Sequence, residues 1–169
     1  MENIEIKTRV SDLQYIRKKI LQMDHQYVGL DHQLDTYFST KLGRMKLRES
    51  TLSGPYMVLY FRDDIHGPRS STYQMIPVND PVGVKDMLSQ MLGIQIVVDK
   101  KREIFLYENV RIHLDQVSAL GEFMELEAVM DEKHDDKKKE KEKVNHLMDI
   151  LNIKQEDLHS KSYRELVEK

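Results

Sequence analysis

Apolar and polar residues alternate along most of the first 130 positions, interrupted twice by helical spacing. From Asn3 to Val10, Ile4, Ile6 and Val10 take one face and Glu5, Lys7 and Arg9 the other, the period of a strand. Ser11 is then expected to cap a helix reaching Met23, with Leu13, Ile16, Ile20 and Leu21 as its apolar stripe. Strand-like segments follow at about 26–30, 33–39, 44–50 and 57–63, separated by Gly29, Gly43 and the Ser53-Gly54-Pro55 turn. Gly67-Pro68 marks a turn, and a further strand is expected from about Thr72 to Val78. Pro81 opens a second helix that Gly93 closes after Leu92. Long strands at about 94–108 and 110–117 meet in a hairpin at Glu108-Asn109, and a last strand runs from about 122 to 130.

Beyond the last strand the pattern changes. Asp131 to Lys143 is almost wholly charged, which reads as a solvated linker or the exposed first turns of a helix. Val144, Leu147, Met148 and Leu151 carry helical spacing, and Tyr163 to Val167 reads as a short helix. Residues 1–169 are expected to form one domain, with 144–169 as its C-terminal helical segment. About eight strands with few helices and hairpin-like spacing define an α+β, antiparallel class, because parallel sheets need more crossover helices.

Charged residues make up 33% of the chain, yet the formal net charge is only -3. A balance of that kind argues against nucleic acid as partner, since such binders carry a basic surplus. The absence of cysteine excludes a disulfide framework, a thiolate metal site and a Cys nucleophile. No apolar stretch follows Met1 and no run approaches membrane-spanning length, so a cytoplasmic protein with no membrane partner is expected.

The charges fall on shared strand faces. Lys7 and Arg9 align with Glu5; Arg44, Lys46 and Arg48 align; Arg62 ends the next strand; Lys100 aligns with Arg102, unless a one-residue slip brings Lys101 round instead; Arg111, His113 and Asp115 align, as do Glu125 and Glu127. A sheet with one wet face has the same alternation, so parity alone leaves closure open. Three features favour an inward charged face: arginine, suited to bidentate phosphate contact, is preferred; the acids are segregated; and Glu125-Leu126-Glu127 sets two carboxylates side by side, as a hard cation requires. Cations enclosed in that number need an anionic guest, and a polyphosphate with its metal answers both signs.

Glu5-Ile-Lys7, Asp35-Thr-Tyr-Phe38, Gly43-Arg-Met-Lys46-Leu-Arg48-Glu49, Leu59-Tyr-Phe-Arg62, Lys100-Lys-Arg102-Glu103, Glu108-Asn-Val-Arg111-Ile-His-Leu-Asp115, Leu120-Gly-Glu-Phe123, Glu125-Leu-Glu127 and Ser162-Tyr163 together resemble the CYTH superfamily, the triphosphate tunnel metalloenzymes. The similarity is nearest to the subgroup of class IV adenylate cyclases. The resemblance implies a closed eight-stranded antiparallel barrel with helices outside. It implies Glu5, Asp115, Glu125 and Glu127 as ligands for Mg²⁺ or Mn²⁺, and Asp115 and Lys7 as catalytic residues. Lys7, Arg9, Lys46, Arg48, Arg62, Lys100, Arg102 and Arg111 would bind the triphosphate. Asn3 departs from the family signature, whose first position is Glu; its carbonyl can accept a metal contact but brings no charge.

The activity expected first is hydrolysis of the terminal phosphate of a triphosphate: ATP, thiamine triphosphate or tripolyphosphate. The alternative is a cyclase converting ATP to cyclic AMP and pyrophosphate; a non-catalytic polyphosphate-binding module ranks third and a plain interaction domain last. An apolar barrel exterior would suit a homodimer. His113 is read as a structural hydrogen-bonding residue, with proton transfer as the lesser role, and the remaining histidines as surface or packing residues. Met87 and Met91 read as core fillers, Asp35 and Glu49 as partners of lumen cations, and Tyr163 as packing the last helix against the tunnel mouth.

Overall fold

A computed structural model describes residues 2–62, 69–130 and 136–168; for Glu2, Arg62 and residues 69–72 it describes the backbone alone. The expected Gly67-Pro68 turn and residues 131–135 of the charged run lie outside the described residues. Eight strands form one antiparallel sheet: β1 (Glu2–Arg9), β2 (Gln26–Phe38), β3 (Arg44–Ser50), β4 (Tyr56–Arg62), β5 (Arg69–Pro77), β6 (Ile94–Tyr107), β7 (Val110–Val117) and β8 (Gly121–Met130). Their order is β1-β5-β4-β3-β2-β6-β7-β8, and the ring closes because β1 pairs on both sides. Glu2 to Glu5 face Thr72 to Arg69 on β5, while Glu2 to Arg9 face Met130 to Phe123 on β8. Closure leaves no bare edge, and every wall residue then faces either the lumen or the outside.

The apolar side of this barrel is its exterior. Ile4, Ile6, Ile112, Leu114, Met124, Leu126 and Ala128 point outward from β1, β7 and β8. They are covered by α1 (Leu13–Ile20) through Leu13, Ile16 and Ile20, and by α3 (Lys137–Leu151) through Val144, Leu147, Met148 and Leu151. Each such fully buried side chain contributes about 1.5–3 kcal/mol relative to leaving it in water. On the far side, α2 (Pro81–Leu92) lays Val84 and Leu88 over Phe38, Leu47 and Met57. Among the described residues no helix is long and apolar enough to cross a membrane.

Several local expectations change. Gly29 does not separate two strands; it sits at a register shift inside the continuous β2, with φ 151. A glycine there permits a bulge that bends a long strand without ending it. Asp12, not Ser11, caps α1, its carboxylate accepting from the Tyr15 amide at 3.0 Å, and the helix stops at Ile20, before the expected Met23. Met87 and Met91 are exposed, the latter 73%, because α2 meets the sheet along its Val84–Leu88 side. The Glu108-Asn109 hairpin forms as expected, with Glu108 at φ 50 and Tyr107 opposite Val110. Asn109 also ties the turn to α3, donating to Val129 O at 3.1 Å and to Glu140 at 2.7 Å.

One end of the barrel is filled. Tyr37, Val98, Val117 and Phe123 converge there from the wall, and the short α4 (Tyr163–Val167) adds Tyr163, Leu166 and Val167. Ser162 and Glu165 form a reciprocal capping box at the start of α4, and Arg44 on β3 bonds Glu165 at 2.9 Å. These contacts fix α4 against the barrel end.

Candidate functional site

The lumen encloses a cavity of about 590 Å³ lined by side chains from all eight strands, together with Ser162 and Tyr163. Parity explains its content: residues two apart on a strand share a face. Asn3, Glu5 and Lys7 of β1, Lys46 and Arg48 of β3, Lys100 and Arg102 of β6, Arg111 and His113 of β7, and Glu125 and Glu127 of β8 all line it. Lys101 is exposed on the outer face, so the β6 register has not slipped. Two expected lumen residues stand elsewhere, and a third is not described. Arg9 is exposed at the rim, where β1 ends, with its guanidinium 5.0 Å from the Phe123 ring. Asp115 is fully buried and is not among the lining residues. The Arg62 side chain lies outside the described residues.

Toward the filled end the cavity is strongly cationic, organised around Asp35. This carboxylate is 1% exposed and accepts from Lys46 at 2.8 Å, from Arg48 at 2.6 Å through both oxygens, and from Lys100 at 2.9 Å. Burial would raise its pKa, but the three cations outweigh burial and hold the carboxyl well below the usual range. Asp35 thus pairs with lumen cations as expected. Glu49 does not: it points outward and pairs with Lys85 of α2. Burial, reinforced by Arg48, pushes the Lys100 ammonium down to about 8 against the pull of Asp35.

A second buried network carries Arg102. Its Nε and Nη2 donate to the two oxygens of Asp115 at 2.6 and 2.5 Å, and Nη2 also reaches Glu125. The Tyr163 hydroxyl donates to Asp115 at 2.6 Å. With both oxygens engaged, Asp115 holds Arg102 in place, and α4 reaches the site through Tyr163. Lys7 lies 3.7 Å from the centre of the Tyr163 ring and 2.9 Å from Glu125. Removing the hydroxyl in Tyr163→Phe is expected to cost about 1–3 kcal/mol, the penalty of a lost bond to a buried charge. Urea unfolding measures it; unchanged stability would mean Arg102 alone satisfies Asp115.

The acids gather on the β1–β8–β7 wall. Glu5 pairs directly across strands with Glu127, and Lys7 with Glu125. Glu127 accepts from the Asn3 amide and stands 3.5 Å from Arg111, which is half-exposed. Lys7 and Arg102 hold Glu125 well below the usual carboxylate range despite burial. Among the described residues, two buried atoms on this wall lack a hydrogen-bond partner, Asn3 Oδ1 and His113 Nδ1. The nearest acid to His113 Nδ1 is Glu125, at 3.7 Å. Hard divalent cations take oxygen ligands, and Glu5, Glu125, Glu127 and the unpartnered Asn3 carbonyl fit that requirement in type. Among the described residues no three acidic or histidine side chains are already gathered into a metal-binding cluster. Lys7 and Arg102 pair with Glu125, and Arg111 and the Asn3 amide with Glu127.

Opposite the filled end the lining turns apolar. Val28, Leu52, Met75, Ile104 and Leu106 surround the cavity there, with Tyr56 and Tyr73. Alternation on β2 would have shown that Asp31, Gln33, Asp35 and Tyr37 share a face, but dividing that strand at Gly29 hid the run. Asp31 and Gln33 bond each other at 2.6 Å, and Asp31 also accepts from Ser50 and Thr51, locking the β3–β4 turn beside Leu52.

The fold is a closed eight-stranded barrel with a charged lumen, its cations gathered about Asp35 and its acids on the β1–β8–β7 wall. The CYTH domain model matches residues 1–163, and the chain belongs to that family. It is 27% identical to a Methanocaldococcus jannaschii protein named "Putative adenylate cyclase", over 98% of each chain. A solved Pyrococcus horikoshii structure superposes with TM-score 0.83 at 25% identity, covering 98% of this chain and 99% of that one. A Hippeastrum protein described as having a dominant triphosphatase activity superposes with TM-score 0.61 at 12% identity, covering 98% and 93%.

Proposed function

We propose that this chain is a divalent-metal-dependent enzyme that hydrolyses the terminal phosphate of an organic triphosphate. Family membership supports action on triphosphates, and the Hippeastrum relative's description supports hydrolysis. The observation that carries the reading is polarity along the cavity: four buried cations, Lys7, Lys46, Lys100 and Arg102, and the nearly buried Arg48 lie toward the filled end, while Val28, Leu52, Met75, Ile104 and Leu106 line the other beside Asn3, Glu5 and Glu127. A triphosphate entering tail first would place its terminal phosphate among the cations and leave its organic part against Val28, Leu52, Ile104 and Leu106. Inorganic tripolyphosphate would leave that apolar ring wet, which makes it the poorer substrate.

In this reading Arg48 and Arg102 contact phosphate oxygens bidentately, while Lys7, Lys46 and Lys100 act as point charges against the charge that develops on transfer. Asp115 and Tyr163 position Arg102. Bound at Glu5, Glu125 and Glu127, a divalent ion would supply Lewis-acid polarisation of phosphate oxygens. Asp35 occupies the cations until substrate phosphate shares them.

Lys100 gives the site a pH dependence. Below pH 8 its ammonium is charged and attracts phosphate; above about 8 the proton is lost. Tripolyphosphate affinity is therefore expected to fall as pH rises through 8, by at most about tenfold per unit for one proton. Calorimetric titrations of the parent and Lys100→Arg, which keeps its charge, check this; equal slopes would remove Lys100 from the explanation.

Cyclisation is the second reading, favoured by the acids. Glu127 and Asn3 lie on the side of the cavity toward the apolar end, where an α-phosphorus and ribose would sit. Product analysis after incubation with ATP, thiamine triphosphate and tripolyphosphate, with Mg²⁺ or Mn²⁺, separates the readings. Orthophosphate with a diphosphate supports hydrolysis, cyclic AMP with pyrophosphate supports cyclisation, and binding without turnover would overturn the enzyme reading.

A further inference from the structure

Asp31 and Gln33 are buried lumen residues that the proposed chemistry leaves unused. Along β2 the cavity wall runs Val28, Asp31, Gln33, Asp35 and Tyr37, from the apolar end to the filled end. Gln33 therefore stands one step from Asp35 and its cations, toward the apolar lining, and it lies opposite Lys100 on β6. Two residues along a strand advance about 7 Å, so Gln33 faces the part of a ligand that follows its phosphates. Its side chain is 4% exposed, and among the described residues its Oε1 has no hydrogen-bond partner.

Asp31 fixes which end of the Gln33 amide is left over. The Gln33 nitrogen donates to Asp31 at 2.6 Å. Asp31 also accepts from the Ser50 hydroxyl at 2.8 Å, the Thr51 hydroxyl at 3.0 Å and the Leu52 amide at 3.1 Å. Burial would raise its pKa, but these four hydrogen bonds outweigh burial and hold the carboxyl below its ordinary value. A carboxylate only accepts, so the Gln33 nitrogen must face Asp31 and its carbonyl must face away. The fold thus sets an acceptor on the lumen wall and supplies no donor for it, which is costly until a ligand brings one. Phosphate oxygens bring none, being acceptors themselves at neutral pH.

We propose that Gln33 is a specificity residue whose side-chain carbonyl accepts a hydrogen bond from a sugar hydroxyl of the substrate, with Asp31 as the residue that positions it. This rests on the reading of the cavity as a triphosphate site entered tail first. The donor follows from what lies next to the phosphates in each candidate. The ribose of a nucleoside triphosphate carries hydroxyls a few bonds from the chain. Thiamine triphosphate has no such donor near its phosphates, and tripolyphosphate has no organic part. A site that pairs with a substrate hydroxyl rejects an analogue lacking it, because the acceptor is then left buried and unpaired.

The test uses the full-length protein and isothermal titration in EDTA, where no metal-dependent turnover consumes the ligand. The probes are ATP, 2′,3′-dideoxy-ATP and tripolyphosphate. The parent is expected to bind ATP about tenfold tighter than 2′,3′-dideoxy-ATP, the effect of one hydrogen bond to a buried acceptor. Gln33→Met keeps the length of the side chain and removes the carbonyl. It is expected to bring ATP down to the dideoxy level and to leave the other two probes unchanged. Asp31→Asn offers either a donor or an acceptor, so the Gln33 amide is free to turn over. The same ratio is expected to narrow there, which keeps a second variant should Gln33→Met fail to fold. Equal affinity of the parent for ATP and 2′,3′-dideoxy-ATP, a preference that survives Gln33→Met, or an equal loss for all three probes would overturn the proposal and leave the triphosphate reading intact. Absence of binding by all three, in EDTA and with Mg²⁺ alike, would overturn both.

Discussion

Asp35→Asn is expected to destabilise the ligand-free protein by about 3–5 kcal/mol, the cost of removing one partner from a buried ion network. Asparagine preserves the volume of aspartate, so the loss reports charge. Asp35 neutralises Lys46, Arg48 and Lys100, all within 2.9 Å and all buried or nearly so. Without it the three cations repel one another at buried positions, where the low dielectric screens them less than bulk water would. Lys46, already held well below its ordinary value by burial and by Arg48, would release its proton and limit the damage. The same change should enlarge the stabilisation gained from tripolyphosphate, because phosphate would then replace the missing anion and no carboxylate would compete with it. Chemical denaturation with and without tripolyphosphate reads both quantities. A stable variant would mean these cations are better solvated than their burial implies. A destabilised variant that responds to tripolyphosphate no more than the parent would mean the cations do not meet the ligand.

Glu127→Gln is expected to have the opposite profile: turnover falls by roughly 10²-fold or more, and stability is barely altered. Gln keeps an acceptor for the Asn3 amide. The ion pair that is lost, at 3.5 Å to Arg111, has a half-exposed partner and contributes little. What disappears is one negative charge on the acidic wall, opposite the cations that would hold phosphate. Steady-state kinetics at saturating metal, alongside a urea melt, make the comparison. Turnover at the parent's rate would remove Glu127 from the site. A large loss of stability would mean it serves the barrel wall instead.

Much of the candidate site was legible because a strand has a period of two. Lys46 with Arg48, Lys100 with Arg102, and Glu125 with Glu127 each share a face on spacing alone, and the structure keeps each pair on the lumen side. Asp115 shows the limit of that reasoning. Its parity is correct, but its depth beneath Tyr163 and its double bond to Arg102 depend on where α4 docks. Arg9 likewise has the right parity and lies one step beyond the enclosed length, since β1 ends there. Asp35 was readable as a partner of lumen cations, but that it meets three of them at once depends on β2 lying between β3 and β6.

The sequence by itself determined which side chains travel together. It specified the alternating faces, the Pro81 start and Gly93 stop of α2, the tight hairpin at Glu108-Asn109 and the apolar stripes of α1 and α3. These are consequences of local backbone geometry, which a few neighbouring residues settle. Only the tertiary structure decided that the charged face turns inward, because that depends on β1 pairing with both β5 and β8, residues 64 to 128 positions away. The same holds for the filling of one end by Tyr163 and Phe123, and for the apolar ring drawn from Val28, Leu52, Met75, Ile104 and Leu106. Such placements arise from long-range burial, whose outcome no local period records.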